Sequence, residues 1–191
     1  MPDIFEVLAS DHAEVQQMLT ALAESPTVAT GADERVIAAR KQLVQQLVMA
    51  ESRHEAAEEQ YFWPAVRDRL ADGNDLADQA VGQENEAKQV LNRLDKLDAD
   101  DPEFEQLLAE FTAAGRQHIQ FEETRVWPGL REALSKSEAG ELGAKVAQAE
   151  EHGPTRPHPN TPASPGVLKA AGPAAAAMDR LRDAVTGRGR S

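Results

Sequence analysis

The sequence predicts an all-α fold, an up-down four-helix bundle, from two observations. Residues 3 to about 150 are rich in good helix formers and repeat apolar residues every three or four positions, with no strand-like alternation of convincing length. Signals for turns and caps, including Ser25-Pro26, Gly73 and Asp101-Pro102, divide this region into four long segments with short links. Four long helices joined in this way are typical of an up-down bundle.

The first two predicted helices carry polar residues on their inward faces. Helix one is predicted over residues 3–24, and His12 lies in the middle of its apolar stripe. Helix two is predicted from about residue 33 up to Trp63-Pro64, and its inward face becomes polar toward that end. Positions that are normally apolar in a bundle are therefore occupied by ionisable side chains.

The third and fourth predicted helices follow the same pattern. Helix three is predicted to run from the turn at Gly73 to about residue 98, with Glu84 in a core-facing position. Asp101 and Pro102 are a suitable N-cap and first-turn pair for helix four, which Pro128 breaks. We expect the inward stripe of helix four to end in polar residues, as that of helix two does.

Two Trp-Pro pairs predict short helices after the long ones. Pro suits the first turn of a helix but not its interior, so the segments 64–71 and 128–151 are predicted as separate short helices. We therefore expect one domain over residues 1–151, followed by a tail over residues 152–191.

The tail begins with a Pro-rich stretch without periodicity, which predicts an extended linker. Residues 173–186 predict a short amphipathic helix, too brief to be stable alone, that docks on the bundle or stays loose. Its apolar stripe consists of Met178, Leu181 and Val185. We expect the tail histidines, His152 and His158, to be solvated rather than to bind metal.

Composition excludes several classes of function. The 191 residues include 33 acidic and 20 basic side chains, and the net charge of −13 predicts that neither nucleic acid nor a membrane surface is a partner. The absence of cysteine excludes disulfides, thiolate nucleophiles, iron–sulfur clusters and cysteine-bound zinc. Any bound metal must therefore have nitrogen and oxygen ligands.

The sequence has no apolar segment of about 20 residues, the length that crosses a bilayer. Its N-terminal stretch has acidic residues where a signal peptide needs basic ones. We therefore expect a soluble, cytoplasmic protein, and we predict no particular oligomeric state.

The most informative feature is an internal repeat that carries His and Glu four residues apart. Residues 54–70, HEAAEEQYFWPAVRDRL, recur in outline at residues 118–134, HIQFEETRVWPGLREAL. Positions i and i+4 share one face of a helix, so each copy directs an imidazole and a carboxylate the same way. Two such helices facing each other predict a site for two metal ions.

The repeat extends to helices one and three. A shift of 72 residues places SDHAEVQQMLTAL on GQENEAKQVLNRL, with His12 on Glu84, so each half of the bundle supplies three inward ligands. Three imidazoles and three carboxylates suit two iron or manganese ions, and the ligand types alone also allow zinc. The predicted metal ligands are His12, His54, Glu58, Glu84, His118 and Glu122, with Glu58 and Glu122 placed to bridge the ions.

One of these ligands and a nearby tyrosine have alternative interpretations. Asn85, instead of Glu84, could occupy the ligand position of helix three, but helical phase favours Glu84, because Asn85 shares its face with Lys88. Tyr61 follows Glu58 by three residues, and its phenol could ligate a metal, donate a hydrogen bond or cap the core. The two tryptophans of the repeat, Trp63 and Trp127, are expected to fill the core.

Across about residues 3–135 the chain resembles the hemerythrin-like, or HHE, cation-binding family. The resemblance rests on Asp-His near the start of helix one, His54 and Glu58 before Phe-Trp-Pro, and His118 with Glu122-Glu123 before Val-Trp-Pro. It implies a four-helix bundle that holds two non-heme iron ions with an oxygen or hydroxide bridge. All the predicted ligands except Glu84 match the family's ligand positions one by one.

The chain departs from the family pattern in helix three. The family places His there, often in a Glu-His-His run, whereas this chain has Gln83, Glu84 and Asn85. Reversible oxygen carriers of the family use five histidines and two carboxylates, so this site has less nitrogen and more anionic oxygen. More carboxylate stabilises ferric iron.

Our leading functional hypothesis is therefore a di-iron protein that reacts with hydrogen peroxide, dioxygen or nitric oxide. Its activity would resemble that of a catalase or peroxidase in stress defence, with Tyr61 tuning the site by hydrogen bonding to the oxidant. The alternative is a module that binds, senses or stores oxygen, nitric oxide or iron without turnover. Family membership alone does not choose between them.

Overall fold

The structure, a computed structural model, describes residues 2–158 and 165–186, with the side chains of the last helix from Gly172 to Val185. Regular structure in these residues is entirely helical, which confirms the predicted all-α class. The α-helices are α1 (Ile4–Glu24), α2 (Glu34–Ala57), α3 (Trp63–Arg69), α4 (Gly73–Leu94), α5 (Phe104–Phe121), α6 (Trp127–Ala133), α7 (Lys136–His152) and α8 (Pro165–Thr186). None of the described helices combines the length and apolar character needed to cross a membrane.

The four long helices α1, α2, α4 and α5 form the predicted bundle. Helix α1 packs on α2 and α4 packs on α5, and further contacts join α2 to α4 and α1 to α5. Short helices α3 and α6 contact each other beyond the ends of α2 and α5. Helix α7 lies against both α1 and α2 and covers one side of the bundle.

Side-chain caps determine where α1 and α2 begin. The Asp3 carboxylate accepts hydrogen bonds from the backbone N–H groups of Phe5 and Glu6, each at 2.9 Å, and Glu6 accepts one from the N–H of Asp3. This reciprocal pair satisfies N–H groups that the first turn leaves without partners. Asp33 caps α2 in a similar way.

Apolar side chains form two separate clusters along the bundle. One cluster is built around Leu19, Leu47, Leu91 and Phe111, toward the 3-10 turn at Val28–Thr30. The other includes both tryptophans with Ile4, Leu8, Phe62, Val66, Val126 and Leu130. The ionisable side chains predicted to bind metal lie between these clusters, so they occupy a polar layer with apolar packing on both sides.

Helices two and four were predicted to continue as α-helices up to Trp-Pro, but in the structure they do not. Each passes through a π-helical turn, Glu58–Phe62 or Glu122–Val126, in which the N–H of the following tryptophan donates to the carbonyl of the first glutamate. Proline has no N–H, and its ring clashes with the carbonyl four residues earlier in an α-turn. A wider turn avoids this clash, and such turns are frequent at functional sites.

The predicted ends of helices three and four were wrong by a few residues. Helix α4 ends at Leu94 instead of residue 98, and α5 begins at Phe104. The Asp101 carboxylate does accept a backbone hydrogen bond, from Glu103 at 2.9 Å, but it stabilises the turn before the helix.

The predicted segment 128–151 is two helices instead of one. Helix α6 ends at Ala133, and α7 starts after Ser135, whose hydroxyl and backbone N–H pair reciprocally with the N–H and carboxylate of Glu138. A capping box of this kind starts a new helix in a new direction.

The tail helix starts earlier than predicted and is rotated differently. Residues 159–164 of the predicted linker lie outside the described residues, but α8 already begins at Pro165 and runs through Pro173. The alanines around Pro173 have the highest helix propensity, which offsets the hydrogen bond that proline removes.

The predicted apolar stripe of the tail helix faces solvent. Met178, Leu181 and Val185 are 53%, 66% and 88% exposed, whereas Asp179 is fully buried. The Asp179 carboxylate accepts the backbone N–H of Thr155 at 3.1 Å and lies 2.9 Å from His158 Nε2. His158 is therefore only partly solvated, with 31% of its side chain exposed, because polar contacts to the preceding segment orient the helix.

One glycine provides a test of how closely α7 packs on α1. A Cβ atom at Gly143 would lie 2.7 Å from the backbone of Asp3 and Ile4, whereas one at Gly140 on the same helix would meet nothing within 4 Å. Gly143→Ala should lower the free energy of unfolding in urea by about 1–3 kcal/mol through overpacking. Gly140→Ala should raise it by about 0.5–1 kcal/mol through helix propensity. Equal effects of the two substitutions would show that α7 is not seated as described.

Candidate metal centre

The six predicted ligands converge in the polar layer between the two apolar clusters. Five of them are between 0% and 6% exposed, and the His118 side chain is 12% exposed. They come from six different elements: His12 from α1, His54 from α2, Glu58 from the first π-turn, Glu84 from α4, His118 from α5 and Glu122 from the second π-turn.

These side chains form two overlapping groups that share two carboxylates. In each group, one ligand atom from each residue lies within 4.8 Å of the others. The groups are His12, His54, Glu58 and Glu122, and Glu58, Glu84, His118 and Glu122. The shared residues are the two predicted bridging carboxylates, so the arrangement fits two neighbouring cations. The ligand assignment itself stays a prediction.

Each imidazole turns its Nε2 atom toward a shared carboxylate. The Nε2 atoms of His12 and His118 each lie 3.1 Å from an oxygen of Glu122, and His54 Nε2 lies 3.5 Å from Glu58 Oε2. Three ring nitrogens therefore face the same small volume from three helices.

The Nδ1 atoms point outward to a second set of oxygen atoms. His12 Nδ1 lies 3.0 Å from Glu123 Oε1, His118 Nδ1 lies 3.2 Å from Gln83 Oε1, and His54 Nδ1 lies 3.5 Å from Asp11 Oδ2. For His12 and His118, the hydrogen-bonded acceptor beside Nδ1 favours the tautomer with its proton there, which leaves the Nε2 lone pair directed inward. Nδ1 of His54 approaches Asp11 without a hydrogen bond among the described residues. Metal-binding histidines are typically oriented in this way.

The inward atoms have no hydrogen-bond partners in the described residues. They include Nε2 of His12 and of His118, Oε2 of Glu84 and both oxygens of Glu58 and of Glu122. Burying one such polar group without a partner costs roughly 2–7 kcal/mol. Cations would satisfy several of these atoms at once, and nitrogen and carboxylate donors without thiols suit iron or manganese, with zinc also allowed. The residues therefore fit the predicted metal pair.

The two tryptophans do more than fill the core. Trp63 donates its indole N–H to Glu84 Oε1 at 2.5 Å, which holds that carboxylate beside the centre. Trp127 stacks on His12, with ring centroids 5.2 Å apart and planes 12° apart. Each tryptophan thus contacts the one ligand position at which the two halves differ chemically.

Lys88 is buried. The expectation that Asn85 faces solvent because it shares a helix face with Lys88 was therefore wrong. Its ammonium group bonds the Glu59 carboxylate and lies 3.6 Å from Glu55 Oε2 and 3.8 Å from Glu84 Oε2. Burial lowers the pKa of Lys88, but these carboxylates raise it further, above its ordinary value. Lys88 therefore supplies a fixed positive charge next to Glu84, and Asn85 is half-buried instead of exposed.

Tyr61 lies apart from the buried cavity of the centre. It lines a larger cleft between the bundle and the tail, together with Lys88, Glu55 and Glu59. The residues that line the buried cavity include Glu51 and Glu55, two acids that sequence reasoning did not assign as ligands. The role of Tyr61 in tuning the site stays a prediction.

Burial and neighbouring charges leave Glu84 and His118 protonated near neutral pH. Burial raises the pKa of Glu84 to about 8, against the opposing effects of Lys88 and His118. Burial lowers the pKa of His118, but the carboxylates of Glu122 and Glu84 raise it more, to about 9.

The two shared carboxylates have opposite protonation preferences. Burial raises the pKa of Glu58 well above its usual range, and the nearby carboxylates of Glu122 and Glu84 raise it further. Burial would also raise the pKa of Glu122, but its contacts with His118 and His12 lower it below the usual range. Glu122 thus carries a negative charge, which raises the pKa of His12 and of His118.

Metal binding should release protons and become tighter as pH rises. A cation needs neutral imidazole and ionised carboxylate, so it must displace the protons on His118 and Glu84. The binding constant for Mn²⁺ should therefore rise between about pH 6 and 9 and level off above the His118 pKa of about 9. Isothermal titration in buffers of different ionisation enthalpy counts the released protons. A constant that is flat across this range would contradict the assignment, and His152→Gln, at an exposed histidine, is the control.

Trp63→Phe should weaken metal binding more than the matched substitution in the other half. It keeps the ring but removes the N–H that holds Glu84. Loss of such an outer hydrogen bond typically costs about 10–100-fold in metal affinity. Trp127→Phe removes an indole N–H that has no hydrogen-bond partner, so its effect should be smaller. Chelator competition with Mn²⁺ measures both, and equal losses would show that the hydrogen bond has no part in binding.

Comparisons with known proteins agree with this site and fold. The hemerythrin HHE cation binding domain matches residues 3–130 of the chain. An uncharacterised hemerythrin-like protein of Schizosaccharomyces pombe is 28% identical over 139 residues, which cover 72% of this chain and 68% of the relative.

A solved structure shows the same fold. The hemerythrin HHE cation binding domain-containing protein of Mycobacterium kansasii superposes with a TM-score of 0.65 and 22% sequence identity, covering 79% of this chain and 86% of the other. The helical bundle is therefore shared at low identity. Since the family match spans well over half of the sequence, the chain belongs to the hemerythrin HHE cation-binding family, and this membership implies that it binds metal.

Proposed function

We propose that the chain is a non-heme di-iron protein that turns over hydrogen peroxide, in the manner of a catalase or peroxidase, in cytoplasmic defence against oxidative or nitrosative stress. The observation that supports this proposal is the donor set, which has three imidazoles and three buried carboxylates, with Glu84 where the family pattern has His. Bound iron would supply a redox couple and a coordination position for the oxidant.

The protein's own contribution begins with charge. Glu58, Glu84 and Glu122 place anionic oxygen around the two cation positions, which favours the higher oxidation state of iron. Lys88 offsets part of this negative charge from the far side of Glu84. A site balanced in this way favours cycling with an oxidant over reversible binding of dioxygen.

The second contribution is exclusion of water and of reactive side chains. The apolar clusters on both sides of the polar layer shield the centre, and each tryptophan packs against one ligand. The chain has no cysteine that peroxide could oxidise. The small buried cavity between His12, His54, Glu55 and His118 is too small for an organic substrate.

The test is oxygen release from hydrogen peroxide by the iron-loaded protein. An oxygen electrode should record many turnovers per centre, while stoichiometric bleaching of the iron would overturn the catalytic proposal. A reversible spectral change with dioxygen after reduction would instead indicate a binding or sensing module. Metal analysis showing less than one ion per chain after iron-replete expression would contradict both the catalytic proposal and the binding or sensing alternative.

Glu84→His should shift the site toward the family's nitrogen-rich pattern and reduce turnover. We expect kcat/KM for peroxide to fall at least about tenfold, which corresponds to about 1.4 kcal/mol of transition-state stabilisation. Asn85→His is the matched control, since it adds the same imidazole one position away, on a half-buried side chain. If Asn85→His lowers turnover as much as Glu84→His, the carboxylate is not what determines the chemistry.

A further inference from the structure

We propose that Asp11, His54 and Glu150 form a cation-uptake site on the surface side of the metal centre, through which divalent ions reach the buried ligands. The proposal rests on metal binding by the centre but not on peroxide turnover. It assigns a function to Asp11 and Glu150, which lie outside the six predicted ligands.

The geometry is that of a small-ion site. One ligand atom from each of Asp11, His54 and Glu150 lies within 4.8 Å of the other two. His54 is only 6% exposed, yet its Nδ1 atom has no hydrogen-bond partner among the described residues and faces Asp11 Oδ2 at 3.5 Å. In the same part of the chain, Asp11 Oδ2 and Glu150 Oε1 are also buried without a hydrogen-bond partner. A cation between them would satisfy all three atoms.

The site lies in an open surface cleft between α1, α2 and α7. Four carboxylates line this cleft, those of Asp11, Glu14, Glu150 and Glu151, against the one guanidinium of Arg53. A cleft lined mainly by one sign of charge concentrates the opposite ion and raises its rate of association. Free divalent ions should therefore collect here before they reach the interior.

His54 separates the cleft from the buried centre. Only His54 and Val15 line both the surface cleft and the buried cavity among the described residues, so the wall there is one side chain thick. The two ring nitrogens of His54 face opposite sides, with Nδ1 toward Asp11 and Nε2 toward Glu58 at 3.5 Å. An ion held outside therefore needs only a small movement of one imidazole to reach an inner ligand.

The opposite side of the centre is less suitable for a cation. There, Glu55 lines both the buried cavity and the cleft beneath the tail helix. The ammonium group of Lys88 lies 3.6 Å from Glu55 on that side and would repel an incoming cation. Charge thus favours the His54 side for metal and leaves the Lys88 side for neutral oxidants.

The outer site should weaken once the centre is filled. Ligation by His54 through Nε2 leaves its proton on Nδ1, where it donates to Asp11 and no longer offers a lone pair outward. The outer site therefore binds a cation only transiently and is not a third permanent metal site.

Glu150→Gln tests the proposal, with Glu151→Gln as the matched control. Both variants replace a glutamate of the same cleft by its amide, but only Glu150 belongs to the three-residue group. The measurement is uptake of Fe²⁺ by the metal-free protein without oxygen, with each sample stopped by a chelator. We expect uptake by Glu150→Gln to be slower by about tenfold, in line with loss of one outer ligand. The final content should stay at two ions per chain.

Two results would overturn the proposal. Equal uptake rates for Glu150→Gln and Glu151→Gln would show that only the general charge of the cleft matters. A lower final iron content without slower uptake would show that Glu150 supports the centre itself. Circular dichroism and thermal unfolding of both variants identify any loss of fold. The uptake proposal does not depend on peroxide turnover. Slower iron uptake by Glu150→Gln would support it even if the iron-loaded protein does not turn over peroxide.

Discussion

The burial of ionisable ligands between two apolar clusters is the constraint on which the rest of the structure depends. Five such side chains have inward atoms without a hydrogen-bond partner among the described residues. Uncompensated, each would cost more than a typical single interaction contributes to stability. The capped helices, the outer oxygen atoms beside each Nδ1 and the tryptophans that contact Glu84 and His12 all serve to hold that layer in one arrangement.

The internal repeat explains how the layer is built and where it becomes asymmetric. The second glutamate of each copy, Glu59 or Glu123, contacts a side chain of the neighbouring half. Glu123 meets the imidazole of His12, but the equivalent position in α4 is Glu84, whose carboxyl group accepts from Trp63 instead of pairing with Glu59. Lys88, one turn later, takes over the pairing. Where the first half has His12, the second half has Glu84. The ammonium group of Lys88 pairs with the acids around Glu84, and His12 takes this role in its own half by contacting Glu123.

Helical phase was sufficient to predict the polar layer, because a 3.6-residue period places His12 and Glu84 inward without knowledge of the packing. It also predicted the bundle. It could not show that Lys88 lies buried, since a long basic side chain is normally assigned to solvent. The rotation of α8 could not be predicted from the sequence either. Asp179 is buried because it contacts Thr155 and His158, which the fold brings next to it. The presence of Glu59 and Glu123 at the same offset in both copies was a signal that could have indicated the outer contacts of the centre.

The two π-helical turns also limit how the sequence can vary. Each turn inserts one residue relative to an α-helix, and one residue corresponds to a rotation of about 100°. Removing that residue would leave the first glutamate in place but rotate Trp63 or Trp127 away from the ligand it contacts. Insertions and deletions within these turns are therefore excluded, whereas residues other than Glu58 and Glu122 can be substituted without changing that rotation. The spacing between glutamate and tryptophan is a more stringent requirement than the residues between them.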